Sequence, residues 1–121
     1  MNPVETARER AKELGRILGQ SEEYRALERA RARLEEDRAL VKTLSELSEL
    51  EARITQLLRS GEEPGEDVKS AYEQSFSELQ SSPLYQGLVA AQSNFDRIVG
   101  RVNEDIVAGI EAGAKSRIIL S

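Results

Sequence analysis

From Glu22 to Ser60 the chain runs for 39 residues without a glycine or a proline. The stretch is rich in Ala, Leu, Glu and Arg, strong helix formers, and its spacing predicts one continuous helix. At ~1.5 Å per residue such a helix would reach ~60 Å, too long for one small globule to bury. Ser21 is suited to cap its start, and Gly19 to stop whatever precedes it. The apolar stripe on this segment does not keep to one face. Leu27, Ala30, Leu34 and Val41 share a face, while Leu47, Leu50, Ile54, Leu57 and Leu58 share another, roughly 150° away at ~100° per residue. Between them Val41, Leu44, Leu47 and Leu50 advance by threes, the phase jump of a stammer. One straight partner cannot cover both faces. The pattern therefore predicts two neighbours, the chain's own helices on the first half and another subunit on the second. The alternative is that the following loop and helix cover Leu57 and Leu58.

The flanking segments are punctuated in the same helical idiom. Asn2-Pro3-Val4-Glu5 places an N-cap, a first-turn proline and an early glutamate ahead of a stripe of Val4, Ala7, Ala11, Leu14 and Leu18. Gly61-Glu62-Glu63-Pro64-Gly65 breaks the chain, after which Val68, Tyr72, Phe76 and Leu79 are expected on one face of a shorter helix. Ser82-Pro83 restarts it, and Leu84, Leu88, Ala91, Phe95, Ile98, Val102 and Ile106 form a narrow stripe on a last long helix. Gly109 and Gly113 weaken the end of that helix. The tail 114–121 is open to either conformation, with Arg117-Ile118-Ile119-Leu120 compatible with an extended segment. The order is short, long, short, long. The two halves also match at an offset of 61 residues: Ser21, Tyr24, Leu27, Ala30, Leu34 and Val41 align with Ser82, Tyr85, Leu88, Ala91, Phe95 and Val102. Shared capping and amphipathicity explain most of that match. The paired Ser–Tyr start is the less expected part, and the two long helices are expected to lie antiparallel.

Composition narrows the chemistry. The 121 residues include no cysteine, histidine or tryptophan, which excludes Cys/His metal sites, thiolate nucleophiles and histidine acid–base catalysis. The formal net charge of −5 argues against a phosphate-backbone binder. The excess acid lies in the second half: residues 1–60 carry twelve basic and twelve acidic groups, residues 61–121 five and ten. No apolar run approaches the ~20 residues of a membrane span, and no signal-peptide core is visible at the start, so a cytoplasmic location is expected. Glu35, Glu36 and Asp37 are consecutive on a helix and so diverge by about 100° each, which reads as solvated surface rather than a metal site. Asp37, at the flank of the first apolar face, is a candidate for an ion pair at a helix seam. Arg25, Arg29 and Arg33 form a like-charged column open to an acidic partner or RNA, with Glu22, Glu28, Glu36 and Asp37 near enough to offset it. No phosphate-binding glycine loop, nucleophile elbow or zinc-protease motif is present, so no cofactor and no catalysis are expected.

Three places resemble the YlbF/YmcA/YheA-type family of small helical bacterial regulators. They are Leu14 to Leu34, with Ser21-Glu22-Glu23-Tyr24 and then Leu34-Glu35-Glu36-Asp37; the loop Ser60-Gly61-Glu62-Glu63-Pro64 followed by Asp67-Val68; and the last helix, with Leu84, Ala91, Phe95, Ile98, Val102 and Ile106. The resemblance covers nearly the whole chain. It implies an all-helical fold, self-association and a regulatory or adaptor role without catalysis. Members of that family act on competence, sporulation, biofilm formation and RNA maturation, and some of their complexes hold iron–sulfur clusters through cysteines. The absence of cysteine here bars that cofactor.

The combined expectation is a single all-α domain over residues 1–121, an elongated antiparallel helical bundle that forms a homo-oligomer and engages a protein partner. Its interface residues would be Leu47, Leu50, Ile54, Leu57 and Leu58, with the stripe-edge tyrosines Tyr24 and Tyr85. One rival is a helical nucleic-acid-associated protein using Arg25, Arg29 and Arg33, and another is a metal-dependent enzyme using the clustered carboxylates.

Overall fold

The computed structural model describes residues 2–120, with side chains through residue 116. Five helices follow one another: α1 (Pro3–Gly19), α2 (Glu22–Glu36), α3 (Arg38–Arg59), α4 (Glu66–Gln80) and α5 (Pro83–Leu120). The fold is all-α, and no strand occurs among the described residues. The helix starts follow the sequence signals. Asn2 Oδ1 accepts the Glu5 amide at 2.9 Å, with Pro3 opening α1. Ser21 Oγ accepts the Tyr24 amide at 3.1 Å and Ser82 Oγ the Tyr85 amide at 3.3 Å. The preceding turns match as well, since the Ser21 amide donates to Leu18 O and the Ser82 amide to Leu79 O, each at 3.1 Å. The internal repeat is thus also a repeat of hydrogen bonding. The stop after α3 is a Schellman motif: Gly61, at φ +78°, donates to Leu58 O and Glu62 to Leu57 O.

The predicted 39-residue helix is two helices. Asp37 adopts an extended backbone (φ −90°, ψ 97°), and its Oδ1 accepts the Leu40 amide at 3.0 Å. It caps α3, so this carboxylate serves a backbone amide of its own chain. An aspartate competes well for amide donors that a helix interior would otherwise use, which is why it favours helix starts over helix middles. The position equivalent to Asp37 in the second half is Ile98, at the same offset of 61, and there the helix runs on unbroken. The change of apolar face is therefore absorbed by a break between helices, not by a stammer within one.

Contact clustering divides the chain into two units, Ala26–Ala90 and a second made of the residues up to Arg25 with those from Ala91 onward. In the first, Leu34, Leu40, Leu47 and Leu79 form a buried cluster, with Leu44, Tyr72, Leu84, Tyr85 and Leu88 packed against it. Within this unit α3 and α4 pack directly, joined by the 60–65 loop. The buried line of α4 is Val68, Ser75 and Leu79 with Tyr72 at its edge. Phe76, expected on that line, is 43% exposed and stacks on Tyr72 with ring centroids 6.0 Å apart. Seven residues after Val68, Ser75 returns to its face, and Phe76 lies one further ~100° step beyond it. In the second unit Ala91 is buried, and Tyr24 meets Phe95 at 5.1 Å between centroids. There α5 stays helical through Gly109 and Gly113 to Leu120, so residues 117–120 are helical rather than extended; Ser121 lies outside the described residues.

Replacing Asp37 by Ala should lower the free energy of unfolding by about 1 kcal/mol, while Asp37→Asn, which keeps an acceptor, should change it by less than about 0.5. Urea denaturation followed by circular dichroism measures both, and equal losses in the two variants would remove the cap from this account. Leu79→Ala should cost about 2–5 kcal/mol. Leu58→Ala, at a side chain 59% exposed, should cost under about 0.5 kcal/mol in the same assay.

Candidate interaction surfaces

The stripe on α3 is largely taken up by the chain itself. Leu47 is buried in the cluster with Leu34, Leu40 and Leu79, covered within the chain itself. Leu50, Ile54 and Leu57 are half-buried, and only Leu58 stands in solvent. The physical reason is the break at Asp37: α3 starts afresh there, so part of its stripe packs against α4. Tyr24 and Tyr85 are half-buried too, Tyr24 against Phe95 and Tyr85 against the leucine cluster. Beside Leu50 the small side chains of Ala71 and Ser75 leave a notch of about 350 Å³, rimmed by Glu46, Glu49 and Arg53. Its rim mixes both charge signs and converges no set of donors on a single point.

The exposed apolar side chains lie mostly elsewhere. On α1 no residue is buried; Val4 is 67% exposed, and only Leu14 and Leu18 are half-covered. On α5 the stripe is half-covered from Phe95 to Val102 but open at Ile106, Val107 and Ile110, and every residue from 103 to 116 is exposed. These two stretches belong to the same compact unit. The periodicity of Val4, Ala7 and Ala11, and of the α5 stripe as far as Ile106, was visible in the sequence. Their lack of cover was not, because periodicity shows which side is apolar and not how far the neighbouring helix extends.

The charged groups are arranged as surface. Arg25, Arg29 and Arg33 are exposed along α2, and Arg29 has an interaction partner within the chain. Glu35 and Glu36 are exposed at the end of α2, and Glu62 and Glu63 in the 60–65 loop. No three acidic residues converge as a cation site among the described residues. Without cysteine or histidine the donor set does not fit a thiolate-held iron–sulfur cluster. Among the described residues no helix is long and apolar enough to cross a membrane.

No curated protein matches this chain at a significant level. A family model does: the one described as "Control of competence regulator ComK, YlbF/YmcA" matches residues 7–111. That span takes in most of α1, all of α2, α3 and α4, and α5 as far as its open apolar stretch. With a five-helix all-α fold, the serine-capped helix starts and a match over most of its length, the chain belongs to the YlbF/YmcA family.

Proposed function

We propose that this protein is a non-enzymatic cytoplasmic regulator that works as an adaptor, through helix-on-helix contact with itself and with another protein. The observation that carries the reading is the open apolar side chains on helices that are otherwise regular and well capped, Val4 on α1 and Ile106, Val107 and Ile110 on α5. Isolated helices are marginal in water, and apolar surface left wet on a folded chain is characteristic of interaction sites. The family description supplies the regulatory context, control of a competence regulator. Composition supports an absence of catalysis, since neither histidine nor cysteine is present to activate a nucleophile or shuttle a proton. Nothing in the exposed arginine column of α2 favours the nucleic-acid reading over this one.

Deletion of the gene in its native host, with complementation, tests the proposal. A tagged full-length chain should co-purify with one protein in stoichiometric amount, and the deletion should change that protein's abundance or activity together with transformation frequency. Failure of both would overturn the adaptor reading.

A further inference from the structure

The seam between α3 and α4 is filled unevenly. On one side Tyr72 closes it, donating its hydroxyl to Glu51 Oε1 at 3.5 Å and stacking its ring on Phe76. On the other side α4 presents Ala71 and Ser75, four residues apart on one line, and these short side chains leave the notch of about 350 Å³ beside Leu50. An apolar cavity of about 150 Å³ admits a benzene ring, so the notch has room for one leucine, methionine or phenylalanine side chain. Two groups around it are left without partners. Ser75 is 8% exposed, yet its hydroxyl makes no hydrogen bond to any described residue, and its oxygen is not sealed from solvent. Glu49 and Arg53 stand on the rim four residues apart and make no ion pair with each other or with any other described residue.

The charge around the notch is acidic once every group on its side of the seam is counted. From α3 come Lys42, Glu46, Glu49 and Arg53; from α4 come Asp67, four residues before Ala71, and Glu78, three after Ser75. Lys42 is held by Glu46 at 3.9 Å. That leaves Glu49, Asp67 and Glu78 against Arg53. Of the other charges on these helices, Glu51, Arg59 and Lys69 fall on the Tyr72 side of the seam, and Arg38, Glu66 and Glu73 on the outer faces, at ~100° per residue.

We propose that this notch docks a helix of another protein, which inserts one leucine, methionine or phenylalanine between Leu50 and Ala71 and carries a lysine or arginine one turn away. The inserted side chain covers Leu50, and the base beside it reaches Glu49 or Glu78. An acidic residue in the same place would face three carboxylates and meet Arg53 alone. The assignment deepens the adaptor reading by naming the chemistry of the other protein, and rests on that reading for the existence of one. Its residues belong to the unit Ala26–Ala90, whereas the open side chains of α1 and distal α5 belong to the other unit.

A display library of helical peptides of about 15 residues tests this on the full-length chain, with the central position and those one turn before and after it varied. Selection should enrich peptides with Leu, Met or Phe at the centre and Lys or Arg one turn away, by at least about tenfold over the same centres flanked by Glu or Asp. Ala71→Leu, which fills the notch, should lose those peptides by a similar factor while its urea midpoint holds or rises. Peptides caught by the open stripes of α1 and α5 survive that change and so do not score. Ser75→Ala, which removes a hydroxyl that the insert must strip of water, should bind the selected peptides at least as tightly. Glu46→Lys/Glu49→Lys, at two exposed positions, should turn the flank preference toward Glu or Asp, and it decides the matter if Ala71→Leu fails to fold. A library yielding no such peptide, peptides that a folded Ala71→Leu holds equally well, or a flank preference unmoved by charge reversal would each overturn the assignment. Any of these leaves the adaptor reading to the deletion experiment, whereas a deletion without effect overturns that reading and leaves the peptide result standing.

Discussion

The carboxylate of Asp37, accepting the Leu40 amide at 3.0 Å, ends one helix and starts the next within a single residue. Much of the packing depends on that bond. Were α2 and α3 one straight rod, the stripe holding Leu34 and the stripe holding Leu47 would point in directions roughly 150° apart, at ~100° per residue. The break lets Leu34, Leu40 and Leu47 enter one cluster with Leu79. A cap of this kind contributes only about 1 kcal/mol by itself. Its larger consequence is directional, since it decides which apolar residues the chain can cover from its own resources.

Within Ala26–Ala90 part of the α3 stripe packs on α4 and the core around Leu79, and in the other unit apolar side chains stand open on α1 and the distal part of α5. The chain presents two classes of amphipathic helix. In one, opposed stripes meet inside the unit formed by Ala26–Ala90. In the other, the stripe runs past the last residue that covers it, as α5 does after Val102. Helices of the second class leave apolar area wet that the first class buries, and burial of apolar area is what makes a helix stable in water. An adaptor is a natural use for such a chain.

Capping was legible residue by residue. Asn2, Ser21, Ser82 and the Gly61 turn act through local hydrogen bonds, which depend on a few neighbouring residues and on nothing distant. The stripes on α1, α4 and α5 were legible too, though Ser75 takes the buried line in place of Phe76, because which of two adjacent positions is covered depends on the packed pair of helices. Asp37 was noticed as a polar residue at a flank and assigned a charge partner, when its side chain serves the backbone instead. The choice between those roles depends on whether the helix continues, and helix-favouring neighbours on both sides masked the break. The burial of Leu47 in the cluster with Leu79 was hidden for the same reason.

The sequence by itself determined the all-helical class, most of the helix starts and stops, the family, and the absence of histidine and cysteine chemistry, because each of these follows from composition or from interactions a few residues apart. Only the tertiary structure decided that Leu47 is core and that Ile106, Val107 and Ile110 are open, because exposure depends on how far a neighbouring helix reaches. That reach is a property of the packed helices, which no local pattern encodes.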